Sequence, residues 1–346
     1  MLRSSWFMES RNVPHMDRLV IVAPNWLGDA VMALPAVADI RRAWPAAHVA
    51  VAARPPIAPL FSLVDGVDEV ITLPGHGVRA AAETLRARSF GAAVLLPNSF
   101  HAALVAWRAA IPERWGYRAD WRRPLLTRAF SPPRHVHQAA YYQALVGQLG
   151  CESGPLRPAL HAPDAIRRGG IDILAAAGWD RQRPLVAIAP GAAYGGAKQW
   201  PTASFAALAT ELSRGHGAIV VLIGAGGDVQ AGAEVEARVE GSIINLIGRT
   251  DLPLLAGVLL ACRGLVTNDS GAMHFAAALG VSVTAMFGPT RESETRPIAG
   301  PDGDEPVVLT HHVWCRPCML RECPLTHACM RGITVENVLA AARRTL

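Results

Sequence analysis

Residues 18–36 read RLVIVAPNWLGDAVMALPA, and the fold follows from that stretch. RLVIVAP (18–24) is a continuous apolar run closed by a proline, the pattern of a strand buried on both faces. Beyond Gly28, the side chains of Ala30, Val31, Leu34, Val37 and Ile40 recur at helical spacing, which predicts one helix over 28–43. A buried strand that passes within a few residues into a helix is the opening unit of a parallel α/β domain.

The same unit recurs outward from it. HVAVAA (48–53), EVITLP (69–74) and AAVLLP (92–97) read as further short strands with helical stretches between several of them. Pro155, Pro158 and Pro163 break the pattern and mark a linker. Past it, LVAIAPG (185–191), AIVVLIGAG (218–226), IINLIG (243–248), GLVTND (264–269) and VSVTAMFG (281–288) read as strands. Helices are expected between them at about 203–214, 229–239, 252–262 and 271–279. Right-handed crossovers then make two Rossmann-like, doubly wound parallel sheets, with ligand-binding strand ends facing one cleft. The expected organisation is an extension over 1–15, domains over 16–162 and 163–333, and a closing segment over 334–346.

A length of 346 residues suits two domains. An apolar fraction of 51% and only six cysteines exclude disordered and disulfide-scaffold classes. Residues 1–15 (MLRSSWFMESRNVPH) lack the apolar core of a signal peptide and are interrupted by Glu9. The uncharged run from Ser270 to Thr290 approaches membrane-spanning length. His274, Gly280, Pro289 and the change from MHFAAAL to VSVTAMF read instead as a helix followed by a buried strand. A cytoplasmic location with reduced thiols is therefore expected.

Thirty-three basic residues against 28 acidic ones leave a net charge of +5. The excess gathers in residues 108–134, where seven arginines face only Glu113 and Asp120 and are interleaved with Trp115, Tyr117 and Trp121. Such a tract is either an anion-binding face or a solvated one. Only one of the basic residues is a lysine, Lys198.

Two familiar nucleotide motifs fail on inspection. GAGGD (224–228) has Val229 where a dinucleotide fingerprint needs its third glycine. In PGAAYGGAKQW (190–200), Gln199 stands where a P-loop needs Ser or Thr for magnesium. Three strand-to-helix loops carry chemistry instead. Asp29 falls in the first helical turn after the first strand, as a functional acid or as a dipole-stabilised helix-start carboxylate. Lys198 ends a glycine-rich turn, where a compact ammonium suits phosphate oxygens. TNDSGAMHFAAALG (267–280) places Asp269, Ser270 and Gly271 at a helix start, a phosphate site or a plain N-cap.

Together these segments closely resemble the lipopolysaccharide heptosyltransferases of glycosyltransferase family 9. The resemblance runs from about Arg18 to the C-terminus, through NWLGDAVMALPA, PGAAYGGAKQWP, TNDSGAMHFAAALG…MFGPT and the tail CRPCMLRECPL…CM. It implies a GT-B fold whose C-terminal helix, about 334–345, returns toward the N-terminal domain. It implies transfer of L-glycero-D-manno-heptose from ADP-heptose to the first heptose of the inner core, with inversion, no cofactor and no metal. By the same resemblance Asp29 is the general base, and Lys198, Ser270 and Gly271 bind the diphosphate. Asp269 contacts the donor heptose within an Asp-(Ser/Thr)-Gly-x-x-His motif ending at His274, itself either a ligand or a packed histidine. Asp228 takes the adenosine ribose, and Thr250 caps the helix over 252–262. The implied acceptor is an anionic lipid-linked Kdo-heptose saccharide at the cytosolic face of the inner membrane, which gives Arg118, Arg122 and Arg123 a partner. No nucleic acid is expected.

Cys315, Cys318, Cys323 and Cys329, with His311, His312 and His327 nearby, can ligate zinc or an iron–sulfur cluster, although the spacing fits no standard finger. Any such metal is structural. Two other readings stay open: a glycosyltransferase of the same fold using another nucleotide donor or adding the first or third core heptose, and a metal-binding regulatory or nucleic-acid-binding protein using the cysteines and arginines.

Overall fold

The computed structural model describes residues 16–75 and 77–343. The expectations for residues 1–15, and for the last three residues of the chain, lie outside the described residues. The first sheet orders its parallel strands β3-β2-β1-β4-β5-β6. These are β1 (Arg18–Val22), β2 (His48–Ala53), β3 (Glu69–Thr72), β4 (Ala92–Leu95), β5 (Glu113–Tyr117) and β6 (Arg128–Phe130). The second comprises β7 (Leu185–Ala189), β8 (Ile219–Leu222), β9 (Ile243–Asn245), β10 (Gly264–Asn268), β11 (Ser282–Phe287) and β12 (Val307–Thr310), ordered β12-β11-β10-β7-β8-β9. Both sheets thus have the doubly wound order, which reverses between β1 and β4 and again between β7 and β10. Ligands enter such sheets at the carboxyl ends of those strand pairs. Central strands are apolar without alternation because helices cover both faces: Leu19, Val20 and Ile21 of β1 have no exposed surface.

The expected helix over 28–43 is two helices, Leu27–Met32 and Leu34–Ala43, meeting at Ala33. Pro35 is the cause. It has no amide to donate and its ring excludes the preceding carbonyl from an unbroken helix, but it fits the first turn of a new one. β5, β6 and β12 were not anticipated as strands. The first two lie inside the arginine-rich tract, whose charges hide a short strand pattern.

Among the described residues the C-terminal helix lies against its own domain, where a return toward the N-terminal domain is expected. Val335–Ala342 packs on β10, β11 and the helix Thr202–His216 of its own domain. It buries Val338, Leu339 and Ala342 in a cluster with Phe205, Leu208 and Leu212. Four of its eight residues are buried apolar side chains, and that side of the second sheet supplies their cover.

What joins the domains is the pair of strand-end helices Leu27–Met32 and Gly271–Ala278, packed against each other. Glycine permits the approach. A Cβ on Gly28 would stand 2.9 Å from His274 Cδ2, and one on Gly271 would stand 3.1 Å from the Gly28 nitrogen. The Leu160 amide donates to the Ala278 carbonyl at 3.1 Å and that of His161 to Leu63 at 2.8 Å, which seat the linker between the domains. Among the described residues no helix is long and apolar enough to cross a membrane. Residues 270–290 form a helix and then β11, as their change of pattern predicts.

Candidate active site

A cavity of about 750 Å³ opens where the two sheets present their carboxyl ends. Asp29, Lys198, Asp228, Asp269, Ser270, Gly271 and His274 all line it. Residues separated by up to 245 positions in sequence are thus brought to one space by the loops after β1, β8 and β10 and the glycine-rich turn after β7.

Asp29 sits in the first turn of Leu27–Met32, on the N-terminal wall. Burial raises its carboxyl above the ordinary aspartate range, against a hydrogen bond from Tyr142 and the charge of Lys198. Tyr142 is itself buried, and its phenol is hydrogen-bonded to Asp29 and to Gln138. The carboxylate is held in place by one donor and kept from full hydration. That suits a base whose proton affinity must exceed that of an ordinary surface aspartate.

On the opposite wall, Lys198 Nζ lies 2.6 Å from Asp269 Oδ2, with both side chains largely buried. Asp269 also accepts from Thr290 Oγ1 at 2.5 Å. The ammonium stands 4.6 Å from the centroid of the Tyr194 ring. Two neutral or negative surfaces therefore orient one mobile cation at the cavity edge. The helix Gly271–Ala278 begins beside them, and no side chain caps it. Ser270, its N-cap residue, turns its hydroxyl to Thr267 Oγ1 at 3.1 Å instead. An uncapped helix N-terminus next to an ammonium is a site for a doubly charged anion.

His274 is buried, and its imidazole is driven down to about 3, first by burial and then by the neighbouring charges of His137 and Lys198. At neutral pH it is an uncharged ring packed on Gly28 and edging the cavity. Asp228 lies between Gly191 and Gly224, where its carboxylate takes the space of their missing side chains. One oxygen accepts from the Ala225 amide at 2.9 Å, and burial raises the carboxyl. Thr250 lines the cavity but does not cap the following helix; Asp251 does, accepting from the Leu254 amide at 2.8 Å.

The arginines part company. Arg122 has no exposed surface, so it is not positioned to meet an acceptor. Its guanidinium donates to the Tyr117 carbonyl at 2.8 Å, to the Pro97 carbonyl, and to Asn98 Oδ1 at 3.4 Å. It ties the loop after β4 to the loop after β5. Burial lowers its pKa to about 10, so it stays charged at neutral pH. Arg118 and Arg123 are exposed on the N-terminal domain and do not line the cavity. Arg122→Ala is expected to cost about 2–4 kcal/mol, because three acceptors lose their donor inside the domain. The melting temperature should then fall by roughly 5–10 °C. Arg118→Ala and Arg123→Ala should leave it unchanged; thermal melts of the three variants check the division.

Sequence reasoning passed over Tyr142, Tyr194, Thr290 and Arg321. Arg321 lines the cavity with its guanidinium 5.3 Å from the Tyr194 ring centroid. Tyr194, Thr290 and Arg321 lie inside segments that carry the resemblance, but nothing in those segments gives their side chains a role, and Tyr142 lies outside all of them; only the tertiary fold brings the four in.

The family model for glycosyltransferase family 9 (heptosyltransferase) matches residues 78–329. Lipopolysaccharide heptosyltransferase 2 of Salmonella typhimurium is 32% identical over 299 residues, 82% of this chain and 86% of the relative. That of Escherichia coli is 32% identical over 303 residues, with the same coverage of each. The solved structure of E. coli ADP-heptose lps heptosyltransferase II superposes with a TM-score of 0.81 at 29% identity, covering 95% of this chain and 98% of the other. A family 9 structure from Veillonella parvula gives a TM-score of 0.82 at 22% identity, a likeness of fold, over 96% and 97% of the two chains. The two facing doubly wound sheets, the loops that line their cleft and these matches together make the chain a glycosyltransferase, a member of family 9, the heptosyltransferases.

Proposed function

We propose that the chain moves L-glycero-D-manno-heptose from ADP-heptose to the first heptose of the lipopolysaccharide inner core, by a single inverting displacement that needs no metal. The observation that carries this is the placing of one carboxylate and one ammonium on opposite walls of a single cleft. Asp29 takes the proton of the acceptor hydroxyl as its oxygen attacks the anomeric carbon. The bond from that carbon to the diphosphate breaks with inversion. Lys198 and the amides opening Gly271–Ala278 receive the growing negative charge, so ADP leaves as a stabilised anion without a protonating acid. Asp269 holds Lys198 before the donor arrives and contacts the heptose. Ser270 and Gly271 belong to the phosphate end of the site, His274 packs beside it as a neutral ring, and Asp228 takes the ribose hydroxyls.

Arg118 and Arg123, exposed beside Trp121, are assigned to the anionic lipid-linked acceptor or to the headgroups around it. The enzyme then works in the cytoplasm, in peripheral contact with the inner membrane. A matrix of nucleotide-sugar donors against acceptors carrying no, one or two heptoses tests the assignment. Turnover is expected with ADP-heptose and the one-heptose acceptor. Preference for a heptose-free or two-heptose acceptor would move the chain to another step of the same family.

A further inference from the structure

We propose that Cys315, Cys318, Cys323 and Cys329 together bind one structural metal ion, a tetrahedral thiolate-bound cation such as zinc(II) or iron(II), which fixes the loop that braces Lys198. Of the six free cysteines, Cys151 and Cys262 are buried in the cores of the two domains. The other four fall within fifteen residues, and all four line one small cavity of about 110 Å³.

The segment that carries them is held by scattered hydrogen bonds, such as Arg316 Nε to the Gly288 carbonyl at 2.7 Å and the Met319 amide to the Pro289 carbonyl at 2.9 Å, and not by regular structure. Between β12 and the short helix Ala328–Arg331 the chain forms no helix or strand. Its larger apolar side chains point outward: Trp314 is 87% exposed, and Met319, Leu320 and Leu325 are exposed as well. Met319 and His327 stand at φ 57° and 58°, in the left-handed region that non-glycine residues leave unless held. A structureless loop of this length in a compact domain needs an organising bond, and a shared ion supplies one to a segment whose larger apolar side chains face solvent. Four sulfur donors select a soft, tetrahedral ion over calcium or magnesium. As placed, the thiols ring the cavity without closing on one point, since among the described residues no three Cys, His, Asp or Glu side chains make a ready ligand set. Binding therefore draws the four sulfurs inward and releases their protons to solvent.

The loop's other contacts say what the ion is for. The Ala197 amide donates to the Arg321 carbonyl at 2.9 Å and the Gly196 amide to Glu322 Oε1 at 3.0 Å. The Tyr194 hydroxyl donates to the Met319 carbonyl at 2.8 Å, and the His327 ring nitrogen donates to the Ala197 carbonyl at 2.7 Å. Every residue from Tyr194 to Lys198 is thus at or beside a hydrogen bond to the cysteine segment. The ion takes no part in heptose transfer; it sets the turn that presents Lys198 and carries Arg321 to the cavity. This coupling rests on the role proposed for Lys198, whereas the ion-binding site does not.

The test uses the full chain purified without chelator. Elemental analysis should find one zinc or iron per chain, and which of the two distinguishes the ions. After removal by a chelator, cobalt(II) should restore binding with thiolate charge-transfer and tetrahedral d–d bands, and should protect four of the six thiols from alkylation. The double variant Cys315→Ser/Cys318→Ser should lose the ion while its circular dichroism stays native. ADP affinity should drop roughly ten- to hundredfold in the metal-free wild-type chain, the worth of misplaced charged hydrogen bonds. A chain that binds neither zinc, iron nor cobalt, or a double variant that keeps its ion, overturns the site. A metal-bound chain whose ADP affinity survives metal removal overturns the brace while leaving the proposed transfer reaction untouched.

Discussion

Asp29→Asn is expected to lower turnover by about a hundred- to ten-thousandfold, the usual worth of a general base, while ADP binds as before. Asparagine keeps the size and position of the side chain but cannot accept the acceptor's proton. The wild-type rate should fall on the acid side as Asp29 is protonated, with a midpoint above the ordinary aspartate value of about 3.9 because burial raises it. Tyr142→Phe removes the hydrogen bond that opposes that rise, and so should move the acid limb to higher pH. The stability sign runs the other way from activity. A carboxyl whose folded pKa lies above its unfolded one costs stability once pH exceeds the folded value, and costs none below the unfolded one. Asp29→Asn should therefore melt at the wild-type temperature or above it at neutral pH. An inactive variant that is also unfolded would mean a structural carboxylate, and a fully active one would remove Asp29 from the reaction.

The fold was legible where pattern and tertiary demand agree. Buried parallel strands must be apolar on both faces, so RLVIV, HVAVAA and VSVTAMF identify themselves. β5 escaped because ERWGY mixes the buried Trp115 and Tyr117 with charged neighbours, and its Gly116 leaves room for Arg122, whose Nη2 a Cβ there would meet at 2.9 Å. Arg122 shows why charge runs mislead. Composition counts it among solvent-facing arginines, yet three acceptors that can only be located in the folded chain take it inside. The C-terminal helix failed for a related reason. Its return was implied by the resemblance alone, and which domain it covers depends on where the second sheet leaves a side open. Asp29, Lys198 and Asp269 were readable because each sits at a strand-to-helix switch, where chain direction alone puts a side chain at the cleft. Tyr142 backs Asp29 from a mid-helix position and Arg321 reaches the cleft from an irregular loop; no local pattern marks the first, and the tail around the second is marked only by its cysteines.

Lys198→Arg carries the second large effect, a loss of about ten- to a hundredfold in kcat/KM for the donor despite the conserved charge. The wild-type ammonium is a point charge 2.6 Å from Asp269 Oδ2, on a flexible four-carbon stem. An arginine fork would engage Asp269 through two parallel hydrogen bonds, a firmer hold than the single contact of the ammonium. It would be held by its partner at the moment the leaving diphosphate needs it. Lys198→Ala should be worse for activity, by about a hundred- to a thousandfold, since it removes the cation that meets the developing charge. It should also lower the melting temperature, because Asp269, only 5% exposed, would keep Thr290 but lose its counter-charge. Lys198→Arg preserves that pair, so its melting temperature should match the wild type while its activity does not. Activity equal to wild type in the folded Lys198→Arg variant would mean that any cation serves. The single lysine among 33 basic residues would then be an accident of composition.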